Sequence, residues 1–508
     1  MMRFKYILFC LILIVLVSCQ KWLDVNDDPN NRSSVDYKFV LPSGISSVAY
    51  VMGGRYQVLG ALWSQHWTQS IGASQYSGID SYNINSSSFD NSQFGELYSG
   101  ALKALEYVKI QSEKEQEWNY YLISNVMQVY TFQVLADIYD EIPFSEALKG
   151  DEGITTAHFE KGQDIYDSLI VRLDSALAKN FDKENLKNPG EQDILFQGDM
   201  DRWIEFANTL KLKIYLRQSE VRPNIAKAGI EKLYKDKVKF LSTDVMMTAF
   251  QDVSGSRNPL YETDYIFFGH NPNLVLSYTL FSYLDSIGDY NRLNAMFNTP
   301  EKGGQHKALV QGDYNNSSEP SGTNSSSFSK PVMSPVSPVY LMSSTESCFL
   351  QAEAIIRYNV ETYSKAREKY EEGFNKSFIR ILYPTLTLDK IAEISKTSLS
   401  FDKYKFPSDG SPMESFIKTI IMQKWVSLAG IQSLETFFEH NRTHYPKDSP
   451  VVATDGKYAS GEFTVSVNNV TSGKFPKRLI FPESEYTSNP NTPVKKPVWE
   501  NIWWDTKP

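Results

Sequence analysis

Apolar residues along most of this chain recur every three or four positions, the spacing of one face of an α-helix. Ile123, Met127, Tyr130, Val134 and Ile138 form one stripe, and Ile165, Leu169, Leu173 and Ala176 form another. The pattern continues in Trp203, Phe206, Leu210 and Ile214, in Phe349, Ala352 and Ile356, in Ala366, Tyr370, Gly373 and Ser377, and in Ile417, Ile421, Trp425 and Leu428. Each stripe needs a partner surface to bury against. The spacing predicts helix pairs at 95–112 with 118–139, 160–179 with 201–218, 344–358 with 363–380, and 414–429 with 431–442. Ala366 and Tyr370 match the small-x₃-aromatic step in the second helix of a tetratricopeptide repeat. One such pair cannot bury its apolar face alone, so stacked pairs share a core. The expected class is mostly all-α.

Long stretches break the pattern. Residues 20–40 are polar and read as a tether. Residues 254–275 mix Tyr261, Tyr265, Phe267 and Phe268 with Asn, Pro and Gly. Residues 311–338 are rich in Ser, Asn, Gly and Pro. From Lys474 onward, five prolines precede Pro508, and this tail is expected to be non-helical. Loops of this length inside a compact domain usually carry function or are disordered.

The N-terminus carries an address. Arg3 and Lys5 precede an apolar run from Tyr6 to Val17, too short for a bilayer span of about 20 residues. This is the build of a secretory signal. It ends in Leu16-Val17-Ser18-Cys19, a lipobox in which Cys19 would become the lipidated first residue of the mature chain. Residues 1–18 are then the signal peptide, 19–40 the lipidated tether and lead-in, and 41–508 the folded domain. One acyl chain anchors only marginally, so stable attachment needs the further acylation that bacterial lipoproteins receive. Of the three cysteines, Cys10 lies in the signal and Cys348 sits in an apolar helical pattern. Cys348 is expected to be a buried hydrophobe rather than a nucleophile.

Charge narrows the partners. The 508 residues carry a net charge of −9, which argues against nucleic acid, whose phosphates demand clustered Lys and Arg. Thirty Tyr, 29 Phe and nine Trp suit both a helical core and a stacking surface. No glycine-rich phosphate loop, zinc-protease motif or nucleophile elbow occurs. His440 and His444 share a helix face, but no third metal ligand is evident. Asp24, Asn26 and Asp28 have calcium-loop spacing, yet Pro29 and Val35 stand where that loop needs Gly and Glu. No catalytic residue, metal or cofactor is expected. Asp199 or Asp201, ahead of the Trp203 stripe, is expected to cap a helix.

An ordered set of words carries a resemblance. It begins with Trp22-Leu23-Asp24-Val25-Asn26-Asp27-Asp28-Pro29-Asn30 and continues through Leu62-Trp63-Ser64-Gln65-His66-Trp67 and Ala136-Asp137-Ile138-Tyr139-Asp140. Gly198-Asp199-Met200-Asp201-Arg202-Trp203, Gln423-Lys424-Trp425, Phe481-Pro482-Glu483 and Trp503-Trp504-Asp505 complete it. The chain resembles the SusD/RagB nutrient-binding lipoproteins of Bacteroidetes outer membranes, in the subgroup with a DVNxDPN start. The resemblance implies four tetratricopeptide-type hairpins packed against a loop-rich ligand-binding half. It also implies a SusC-like TonB-dependent transporter as partner, with glycan or oligopeptide as cargo. One segment departs from the pattern: Asn441 and His444, within Phe437–Pro446, replace the family's Arg and Gly.

The expected function is capture, at the cell surface, of a nutrient that stacks on aromatic rings. A ring half-covered by ligand contributes roughly 2–3 kcal/mol at about 25 cal/mol per Å². Two or three rings then give micromolar to millimolar affinity once immobilisation is subtracted. The candidates lie on irregular segments: Trp67, Tyr76 and Tyr82 with Asn83 and Asn85, and Tyr261, Tyr265, Phe267 and Phe268 with Asn271. Trp63 could face the core, and Trp203, Trp425, Trp503 and Trp504 read as structural. A surface glycoside hydrolase and a purely structural scaffold are the competing readings.

Overall fold

The computed structural model describes residues 35–505; the signal, Cys19, most of the tether and the Asp24–Asp28 spacing lie outside them. In chain order the helices begin with α1 (Leu41–Gly53), α2 (Arg55–Trp63) and α3 (Ser77–Asp80). A π-helical stretch, Asn91–Leu102, runs into α4 (Lys103–Glu115), followed by α5 (Trp118–Tyr139), α6 (Gly162–Leu177), α7 (Met200–Arg217) and α8 (Pro223–Lys235). Next come α9 (Tyr278–Ile287), α10 (Tyr290–Met296), α11 (Ser344–Tyr358), α12 (Tyr363–Leu382) and α13 (Leu388–Ser398). The series ends with α14 (Met413–Ser427), α15 (Ser433–Thr443) and α16 (Glu483–Ser488). Short strands pair antiparallel two by two: β1 (Trp67–Gln69) with β5 (Leu274–Leu276), β2 (Glu141–Pro143) with β3 (Phe159–Lys161), β4 (Val245–Met247) with β8 (Val339–Met342), and β6 (Phe297–Asn298) with β7 (Lys330–Pro331).

The mostly helical class holds, and each expected pair of helices is present. Asp199 caps α7 by accepting from the Arg202 amide. In α12, Ala366 and Tyr370 are fully buried against α11, as the repeat step requires. Two features differ from expectation. Helix α7 packs more closely on the unpredicted α8 than on α6, because Pro223 starts α8 at once and Ala226, Ile230 and Leu233 give it an apolar face. The tail forms one helical turn, α16, because Pro482 sits at its N-cap, where a missing N–H has no consequence.

Helix α5 is buried on every side from Asn119 to Tyr139, the mark of a central helix. Its carboxyl end is clasped by the C-terminal tail. Leu479 donates its amide to the Ile138 carbonyl at 2.8 Å, Phe481 stacks on Tyr139 at 5.3 Å, and Trp504 Nε1 donates to Asp137 at 2.9 Å.

A charge network sits among the hairpins. Asp137 on α5, Glu346 and Glu353 on α11, and Glu435 and Glu439 on α15 face Lys213 and Arg217 on α7, Arg357 on α11, Lys424 on α14 and Arg442 on α15. Arg442 grips Glu353 with two bonds, at 2.7 and 2.8 Å. The neighbouring guanidinium groups hold the Glu353 carboxyl down at about 2 against the burial that opposes its charge. The departures in this segment have visible consequences. Asn441 buries an amide with no hydrogen-bond partner among the described residues, and His444 takes the left-handed backbone (φ 57°) that suits glycine.

Candidate ligand-binding site

Irregular segments from distant parts of the sequence converge on one face. Strand β1 pairs with β5 in the register Trp67↔Leu276, joining the segment after α2 to the one before α9. The stretch 311–338 closes over both. Gly312 donates its amide to Thr68 Oγ1 at 3.0 Å, and Ser325 Oγ donates to Asn271 Oδ1 at 2.6 Å. Asn258 is pinned to the Pro335 carbonyl at 2.7 Å and the Ser337 carbonyl at 2.9 Å. The stretch near 466–470 adds bonds from Ser466 to the Tyr82 hydroxyl and from Val470 to the Ser81 carbonyl.

These covers bury most of the first candidate cluster. Trp67, Tyr76 and Tyr82 are 3, 2 and 2 % exposed, so the expectation that they form an open stacking surface is corrected. Tyr76 lies against the Arg55 guanidinium, 5.5 Å from its ring centre, and its hydroxyl bonds to Asp264. Tyr82 is held under the 466–470 stretch. Asn83 and Asn85 remain exposed, and Asn85 accepts from Ser87 in its own turn. Trp63 is core, donating Nε1 to the Ile79 carbonyl at 3.0 Å. Trp203, Trp425 and Trp504 are fully buried, as read from the sequence.

The second cluster stands at the surface. The π-helical turn Tyr261–Ile266 and the residues after it present four rings. Tyr261 and Tyr265 stack with centroids 4.8 Å apart, and His270 meets Tyr265 edge-on at 4.9 Å. Phe267, 79 % exposed, stands edge-on to half-buried Phe268 at 5.2 Å. Asn271 is exposed beside them; its Oδ1 is held by Ser325, leaving Nδ2 without a partner in the described chain. The turn rests on Asp264, buried beneath it, whose carboxyl accepts from Tyr76 and from the Asn273 amide. Burial pushes that carboxyl up to about 6. His270 and Asp264 were not among the expected residues; only their position inside the aromatic segment pointed to them.

Elsewhere the chemistry is quiet. His440 gives Nδ1 to the Pro446 carbonyl at 3.0 Å and places Nε2 3.3 Å from Asp448. No group of three or more His, Cys, Asp or Glu residues with metal-binding geometry occurs among the described residues. Burial pushes the Cys348 thiol up to about 12, which suits packing rather than attack. No helix among the described residues is long and apolar enough to cross a membrane.

Comparison with known proteins accords with this architecture. A family model described as SusD-like, starch-binding associating with outer membrane, matches residues 29–465. The chain belongs to the SusD-like family. Its fold is shared by a SusD homologue from Bacteroides uniformis, 22 % identical over 93 % of this chain and 100 % of that one, with a TM-score of 0.72. A chitin-binding SusD homologue from Flavobacterium johnsoniae is 19 % identical over 92 % of this chain and 99 % of that one, with a TM-score of 0.67. A SusD/RagB family protein from Bacteroides thetaiotaomicron is 22 % identical over 93 % and 99 %, with a TM-score of 0.70. No curated protein matches the chain. Within this SusD-like chain, the aromatic turn at 261–271 brings exposed rings to the loop face.

Proposed function

We propose that this chain is a surface lipoprotein that captures a glycan on the Tyr261, Tyr265, Phe267 and Phe268 rings and passes it to a SusC-like TonB-dependent transporter. The observation that carries the reading is Phe267, a large apolar ring left 79 % exposed beside a stacked tyrosine pair. Sugar rings have apolar faces that lie flat on such side chains, and Asn271 Nδ2 supplies a polar contact alongside. The family's starch-binding description and the chitin-binding relative favour glycan over oligopeptide. Binding without turnover fits the family description, which names starch binding. Signal cleavage after residue 18, lipidation of Cys19 and a tether running to residue 40 would hold the domain at the outer membrane.

The test is a glycan and peptide array probed with the chain from residue 20 onward, alongside Phe267→Ala and Tyr265→Ala. Glycan signals that vanish in both variants support the reading. Peptide signals, or glycan signals unchanged in both, overturn it. Co-purification of a barrel transporter with the lipidated protein tests the delivery step.

A further inference from the structure

Beneath the loop 331–339 lies a cavity of about 280 Å³, separate from the exposed rings. Its walls include Trp67, Met296 and Met333, with Gln57 and Tyr340 as polar members. Arg380, on α12, is the one charged residue in the lining. The Gln57 amide is already committed to Ser433, at 3.0 Å from Nε2. The Tyr340 hydroxyl makes no hydrogen bond to a described residue.

Among the described residues, Arg380 has no ion-pair partner. No carboxylate lies within ion-pair distance of it among the described residues, although the guanidinium is half-buried and its Nε is out of reach of solvent. One of its five donors caps α14 by bonding the Ser427 carbonyl at 2.6 Å. Its Nε is buried without a hydrogen-bond partner among the described residues. Asp244, close enough to be felt, is occupied at the start of α11 by the Ser344 amide and hydroxyl, at 2.7 and 2.9 Å. Burial pulls the Arg380 pKa below its usual value, so the cation is held at an energetic disadvantage. Helix capping uses one edge of the fork and leaves the other unmatched.

A concave pocket in which apolar side chains alternate with polar groups such as Asn258 and Tyr340 has the make-up of a site for a polar small molecule, and its volume falls just below the range of about 300–1,000 Å³ typical for drug-sized ligands. It suits a single ring. A planar guanidinium pairs best with a carboxylate, through two parallel bonds. We propose that this cavity is a second ligand site, which takes one compact ring bearing a carboxylate and pairs that carboxylate with Arg380. Resting on the glycan-capture reading, the occupant is a hexuronate unit of an acidic glycan.

Calorimetry on the soluble chain tests this with three probes: D-galacturonate, its neutral counterpart D-galactose, and cyclohexanecarboxylate, an acid without sugar hydroxyls. Galacturonate is expected to bind at least tenfold more tightly than galactose, with Arg380→Gln abolishing the difference and Arg380→Lys restoring part of it. Because Arg380→Gln also removes a helix cap, Ala295→Phe provides an independent block: it fills the cavity and leaves the arginine in place, and it too should abolish binding. Binding of cyclohexanecarboxylate in place of galacturonate keeps the carboxylate site and overturns its sugar occupant. Equal binding of galacturonate and galactose, silence of both acids, or unchanged affinity in Arg380→Gln and Ala295→Phe overturns the site. Phe267→Ala should leave acid binding intact, so failure of the exposed rings is read separately.

Discussion

Arg217 on α7 and Glu439 on α15 meet at 2.6 Å with neither side chain more than 4 % exposed, although 222 residues separate them. Arg217 also reaches Glu435 at 2.7 Å, and Lys424 approaches both carboxylates. The contact ties one helical hairpin to another through charge rather than through apolar packing.

Removing one partner from such a pair strands the other in a dry site. Arg217→Met should therefore destabilise the fold by about 3–5 kcal/mol, whereas well-packed apolar replacement of an entire buried pair is often neutral. Urea unfolding followed by tryptophan fluorescence measures the difference. A loss below about 1 kcal/mol would show that the network contributes little.

Phe267→Ala should leave the melting temperature unchanged, because its ring is exposed. It should weaken glycan binding about tenfold or more, the effect of losing roughly 2 kcal/mol of ring contact. Tyr265→Ala should weaken binding and also lower stability slightly, since that ring packs on both Tyr261 and His270. Titration calorimetry and thermal melts on the same preparations separate the two effects.

Asp264 gives a pH signature. Its native carboxyl titrates at about 6 against an ordinary 3.8, chiefly through burial. Between those values the native state keeps a proton that the unfolded chain has lost, so stability falls as pH rises through that window. Above pH 6 the loss is complete, on the order of 3 kcal/mol. Asp264→Asn keeps the hydrogen bonding to Tyr76 and removes the titration. Its stability advantage over the parent should grow from pH 4 to pH 6 and then level off; a flat difference curve would contradict this.

Cys19→Ser should abolish palmitate labelling and release the protein from the membrane fraction. Labelling that persists in this variant would place the anchor elsewhere.

The helical half was legible because burial there follows the 3.6-residue period. Ile165, Leu169 and Leu173, for example, are all fully buried where their spacing put them. Helix α5 was found but its centrality was not, since residues such as Gln128 and Asn125 on its polar side are also buried. Helix α8 carried a readable signal in Pro223, Ala226, Ile230 and Leu233 that the stronger neighbouring stripe overshadowed. The loop half was less legible. Whether Tyr76 or Tyr265 faces water depends on what lies over it, and the covers over Tyr76 and Tyr82 arrive from hundreds of residues away. Arg380 escaped notice for a similar reason: its want of an ion-pair partner among the described residues is a property of surroundings assembled only in the fold.

The aromatic turn is tied down at both of its ends. Asn258 is moored to the Pro335 and Ser337 carbonyls, and Leu274 enters β5. Between these moorings the turn is braced on the scaffold by the bond from Tyr76 to Asp264 and by the bond from Ser325 to Asn271. Such a segment is a natural place for specificity to change: transplanting residues 259–272 between relatives, with Tyr76 and Ser325 kept as partners for Asp264 and Asn271, should exchange their dietary preferences while the scaffold beneath folds as before.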